Sequence, residues 1–86
     1  MANYFVKIFV TYRKGVLDPQ GVAVEKAAHS LGFEKVGNVR VGKYITMNIE
    51  AGSPEEVKRE IEEMAKKFLV NPVIEEYTYE IKEVKE

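Results

Sequence analysis

Residues 3–12 read NYFVKIFVTY, and this stretch decides the fold. Its even positions, Tyr4, Val6, Ile8, Val10 and Tyr12, are apolar, the period-two signature of a strand with one face on a core. The odd face is mixed, with Phe5 and Phe9 on either side of Lys7. Two aromatics on the face that should meet water predict a covered surface. Phe5 and Phe9 are therefore the candidates for self-association.

Beyond Tyr12 the chain turns through residues 13–17 to Asp18-Pro19, which reads as an N-cap followed by proline at the first helical position. The helix is expected to run to about Leu31 and to stop at Gly32, a residue suited to a left-handed C-terminal position. Val24, Ala27, Ala28 and Leu31 keep helical spacing and are mostly small, which permits close approach to a sheet. In residues 33–50, Val39, Val41, Ile45, Met47 and Ile49 share one parity, broken only by Lys43. A turn commonly breaks such parity, so one long strand bent near Gly42 is preferred over a hairpin there.

Ser53-Pro54-Glu55-Glu56 combines an N-cap, a first-turn proline and a capping-box glutamate. Val57, Ile61, Met64 and Phe68 follow at helical spacing, with Leu69 beside them. Asn71-Pro72 ends this helix. A last strand from Val73 to about Val84 is expected to bury Val73, Tyr77, Tyr79 and Ile81. The order strand, helix, long strand or hairpin, helix, strand predicts an α+β two-layer sandwich, an antiparallel sheet with both helices on one face.

The chain has 86 residues, which accommodates a single domain, residues 1–86. A domain this small has modest stability alone and commonly relies on disulfides, metals or oligomerisation. With no cysteine and one histidine, the first two routes are poorly supplied, and oligomerisation is the expected one. Thirteen basic against fourteen acidic residues provide no electrostatic case for nucleic acid. No apolar run approaches the roughly 20 residues of a membrane span, and the start of the chain does not resemble a secretory signal. A soluble, cytoplasmic protein is expected.

Catalytic candidates are few. His29 lies in a helix, where a plain solvated role is the ordinary reading. Asp18 and Ser53 are occupied as caps, and Ser30 has no evident base partner. Glu75 and Glu76 are neighbours on a strand and so point to opposite faces, which suits acid–base work poorly. Neither GxxxxGK[ST] nor GxGxxG occurs. Arg40 and Lys43 flank Gly42. Arg40 reads either as a solvated edge charge or as a contact to a partner's carboxylate or a phosphate, arginine being enriched at interfaces. Lys43 interrupts the apolar row, so the strand bends there or the lysine snorkels out of the core edge. The residues alone describe a binding or scaffolding module.

Three segments, in order, resemble the PurS family, the small subunit of phosphoribosylformylglycinamidine synthase. They are KGVLDPQG at 14–21; LGF at 31–33 with VRVGK at 39–43; and LVNPVIE at 69–75. Val70 stands where a smaller residue is expected. The resemblance spans nearly the whole chain. It implies a part in de novo purine synthesis, within a complex that uses glutamine and ATP to convert formylglycinamide ribonucleotide to formylglycinamidine ribonucleotide. A large synthase subunit performs the amidination and a glutaminase subunit supplies ammonia. The small subunit joins them, supports ammonia transfer and associates with itself as a dimer or tetramer.

The resemblance also implies no active site and no cofactor on this subunit, the complex using ATP and magnesium. The interface candidates are Arg40 and Lys43, then Lys14, Gln20, Asn71 and Glu75. Two alternatives differ in kind. A dimeric α+β regulatory domain would bind a small molecule, and a minimal dimeric enzyme would depend on His29 or a glutamate.

Overall fold

A computed structural model describes residues 1–85. Five main elements follow in order: strand β1 (Ala2–Tyr12), helix α1 (Pro19–Ser30), strand β2 (Lys43–Ala51), helix α2 (Pro54–Met64) and strand β3 (Glu75–Val84). One π-helical turn, Ala65–Leu69, extends α2. The sheet order is β2-β1-β3, antiparallel throughout. The α+β class and the antiparallel sheet expected from the sequence are present.

The strand with two apolar faces takes the centre. The even side chains Tyr4, Val6, Ile8 and Val10 are buried, and the register sets Val6 beside Met47 and Ile81 and Ile8 beside Ile45 and Tyr79. Helix α2 closes this layer with Val57 and Ile61, and the π-helical turn that extends it adds Ala65, all buried. Full burial of an aliphatic side chain contributes about 1.5–3 kcal/mol. Ser53 caps α2 by accepting the Glu56 N–H at 3.3 Å, and the Glu56 carboxylate accepts the N–H of Gly52 at 2.8 Å.

Four local expectations are corrected. Residues 33–42 form neither a long strand nor a hairpin; β2 starts at Lys43. The N–H of Val39 goes to Glu25 at 3.3 Å and that of Val41 to Asp18 at 2.7 Å, so helix carboxylates take the donors a β-ladder would use. Asn38, at φ 55°, also breaks the extended path. Phe68 is 70% exposed because the π-turn, closed by Val70 N–H to Ala65 O, inserts a residue and turns Leu69 and Val70 inward instead. Val73 is exposed because it lies in a turn before β3, where Ile74 and Glu75 donate to Asn71 O. Val24 and Leu31 are exposed because α1 barely touches the sheet; only Gly21 of that helix is buried.

These outward apolar residues reflect an extended shape. The radius of gyration is 16.7 Å and the molecule measures 52 × 31 × 14 Å. A compact chain of this length would have a radius near roughly 12 Å. Helix α2 covers the inner sheet face, whereas α1 leaves Val22, Val24 and Leu31 to the outside.

Candidate functional site

The sheet end where β1 finishes gathers three distant segments. Arg13 donates its backbone N–H to Ile74 O at 2.8 Å and its Nε–H to Pro72 O at 3.0 Å, holding the turn before β3. Arg40 donates from Nη2 to Tyr12 O at 2.9 Å and lies 3.7 Å from Asp18 through Nε. Lys43 donates Nζ to Leu69 O at 3.3 Å and sits 3.7 Å from Glu75. Glu75 in turn accepts the Asn71 N–H at 2.8 Å.

Asp18 anchors this end. It is 5% exposed, and one carboxylate oxygen accepts the Gly21 N–H at 2.8 Å as a helix cap. The other takes the Val41 N–H. The Val41 bond, then the Gly21 bond, hold the Asp18 carboxyl below its ordinary range against the opposing effect of burial, with the Arg40 charge assisting. A carboxylate committed to two backbone donors acts as a tie and is poorly placed to move protons.

The candidate residues divide clearly. Arg40, Lys43, Asn71 and Glu75 belong to this knot, and Gln20 joins Lys43 and Glu75 in lining a hollow of about 530 Å³. Lys14 is exposed on the adjoining turn. Phe5 and Phe9 lie elsewhere, on the outer sheet face, where Phe9 stacks on Tyr44 at 5.2 Å between ring centroids. His29, exposed, donates through Nε2 to Val36 O at 2.6 Å and pins the turn after α1. The pivotal role of Asp18 beyond its cap carried no local signal, since Val41 is 23 residues away. Arg13 likewise betrays nothing locally of its hold on Pro72. Among the described residues, no group of three His, Cys, Asp or Glu could hold a metal ion.

The result is a basic, hydrogen-bonded knot whose carboxylates are engaged within the chain. It offers Arg13, Lys14, Arg40 and Lys43 at a surface, a chemistry of contact more than of reaction. The family model PurS, described as phosphoribosylformylglycinamidine (FGAM) synthase, matches residues 5–83. The Bacillus subtilis phosphoribosylformylglycinamidine synthase subunit PurS is 46% identical over 81 residues, 94% of this chain and 95% of that protein. The Methanocaldococcus jannaschii PurS crystal structure aligns with a TM-score of 0.85 at 38% identity, covering 95% of this chain and 99% of that one. A chain of the Thermotoga maritima PurLQS structure aligns with a TM-score of 0.82 at 33% identity, covering 98% of this chain and 100% of that one. The chain belongs to the PurS family of phosphoribosylformylglycinamidine synthase subunits.

Proposed function

We propose that this chain is a non-catalytic assembly subunit of a cytoplasmic phosphoribosylformylglycinamidine synthase, made as a single domain of residues 1–86. It bridges the large synthase subunit and the glutaminase subunit and supports the passage of ammonia between them. ATP and magnesium serve the large subunit and are not bound here. The observation that carries this reading is the family match over residues 5–83, joined to the likeness to a chain of the PurLQS structure. The knot at the sheet end supports it, since its carboxylates are tied into the fold while its basic groups reach the surface. No helix among the described residues is long and apolar enough to cross a membrane.

Self-association is part of the proposal. A chain 52 Å long and 14 Å thin leaves Leu17, Leu31, Phe33, Phe68 and Val73 more than 60% exposed, a poor surface for a lone monomer. The outer-face pair Phe5 and Phe9 adds to it.

The test is reconstitution. Purified large subunit and glutaminase are assayed for glutamine-dependent ATP turnover with and without this chain, and with ammonia as the direct nitrogen source. Glutamine-dependent turnover is expected only on its addition, with the ammonia reaction independent of it. If the chain alters neither the activity nor the size of the complex, the assembly role fails. A ligand screen for the regulatory-domain alternative then follows.

A further inference from the structure

Helix α1 and the segment that returns from it to β2 hold each other more than they hold the sheet. Asp18, Glu25 and His29 bond the return in reverse order. Asp18 takes the Val41 N–H at 2.7 Å, Glu25 takes the Val39 N–H at 3.3 Å, and His29 Nε2 donates to Val36 O at 2.6 Å. Their spacing keeps all three on one side of a helix.

These ties cover no apolar core. None of residues 22–38 is buried, and Val22, Val24, Leu31 and Phe33 are exposed. A helix of 12 residues is marginal in water without packing, and Gly21, Val22 and Val24 weaken it further. Strand β1, by contrast, is paired on both sides and packed in the core with α2. Stability within a protein follows this difference: a unit with few buried apolar contacts and exposed hydrogen bonds opens before the core does. The unit meets the sheet through residues 13–17, through Gly42 and through Arg40, whose Nη2 donates to Tyr12 O at 2.9 Å.

We infer that residues 19–41 form an arm that opens and closes while the sheet and α2 stay folded, and that its closing sets Arg40 in place at the basic knot. The inference rests on the reading of that knot as a docking surface and adds a control to it. Asp18 is the clasp, with one oxygen on the start of the helix and the other on the return. When the arm opens, the return leaves Asp18, and Arg40 loses both that carboxylate and its position over Tyr12 O. A partner that engages Arg40 in the closed arrangement therefore stabilises the arm. By linkage, a closed arm strengthens docking by the same factor.

Hydrogen exchange read by mass spectrometry on peptides covering residues 23–30 and 4–10 tests both parts. In the free wild-type chain the helix peptide should exchange at least about 100-fold faster than the strand peptide. Its rate should depend little on dilute urea, because opening the arm exposes little surface. Asp18→Ala should bring residues 23–30 to within about tenfold of the rate of an unstructured peptide, with residues 4–10 still protected. Equal rates for the two wild-type peptides would make the chain one cooperative unit and overturn the inference, whether α1 is held by its own chain or covered by another copy. Loss of protection in both peptides together on Asp18→Ala would overturn it as well. Joined to the large synthase subunit and the glutaminase, the chain should exchange residues 23–30 at least about tenfold more slowly. A complex that forms, judged by its size, without slowing them removes the coupling between arm and docking. A mixture that forms no complex removes the assembly reading instead, and the free-chain rates still decide the arm.

Discussion

The carboxylate of Asp18 accepts the backbone N–H of Val41 at 2.7 Å, tying the start of α1 to the segment that leads into β2. With the Gly21 bond at 2.8 Å, both oxygens of a nearly buried group serve backbone donors 20 residues apart in sequence. The tie replaces a strand pairing that residues 39–41 would otherwise need, and it fixes Arg40 above Tyr12 O.

That relationship sets a pH dependence. The folded carboxyl of Asp18 is held below its unfolded value, first by the Val41 bond. Its contribution to stability is therefore complete above the unfolded value, about 3.9, and is lost as the pH falls through the folded value. Urea midpoints of wild type and Asp18→Asn, taken at fixed protein concentration from neutral pH downward, should differ most near neutrality. The gap should close in acid. A gap that stays constant across the range would mean that charge on Asp18 contributes nothing.

Gly21 sits inside the same junction. A Cβ on it would collide with Val39 O and crowd the Asp18 carboxylate, and no flexible side chain is there to yield to it. Gly21→Ala is expected to destabilise by about 1–3 kcal/mol despite the better helix propensity of alanine. Gly37→Ala, where nothing lies within 4 Å, should stay within about 0.5 kcal/mol of wild type. Equilibrium unfolding of the two variants gives the comparison.

The alternation of residues 3–12 foretold strand β1, because a strand's period-two pattern lies in its own residues; its central place in the sheet came only from the pairing with β2 and β3. The caps at Asp18 and Ser53 were equally legible, being local hydrogen bonds between neighbours in sequence. Residues 39–41 were not. Their odd parity is that of a strand, yet their N–H groups find helix carboxylates, a choice made by tertiary position. Phe68 misled for a related reason: helical spacing assumes 3.6 residues per turn, and one π-turn shifts every residue after it. At the site, Arg40 and Lys43 could be singled out as basic residues flanking Gly42, whereas Asn71 and Glu75 were candidates only through the family resemblance. Their meeting depends on three segments that no local pattern joins.

The π-turn reading separates two apolar residues that the helical repeat treats alike. Ile61 is fully buried in the core cluster, so Ile61→Ala is expected to cost about 2–5 kcal/mol. Phe68 points away from this core, and Phe68→Ala should change the unfolding free energy of the isolated chain by no more than about 0.5 kcal/mol. Denaturant melts decide it. A large loss from Phe68→Ala would place the side chain inward and remove the π-turn.

The basic knot makes a prediction about assembly that stability measurements would miss. The Arg40 and Lys43 ion pairs are 3.7 Å long and partly exposed, so losing them should cost less than about 1 kcal/mol of folding stability. If the knot is the docking surface, the double variant Arg40→Ala, Lys43→Ala should need roughly tenfold more protein for half-maximal glutamine-dependent turnover, about 1.4 kcal/mol of binding. Lys58→Ala with Arg59→Ala, an equal loss of charge on the exposed face of α2, serves as the control. The ammonia-supplied rate is the internal reference, since it needs no glutaminase. Equal titration curves for the two double variants would show that net charge, or nothing at all, is being read, and would move the docking surface away from the end of the sheet.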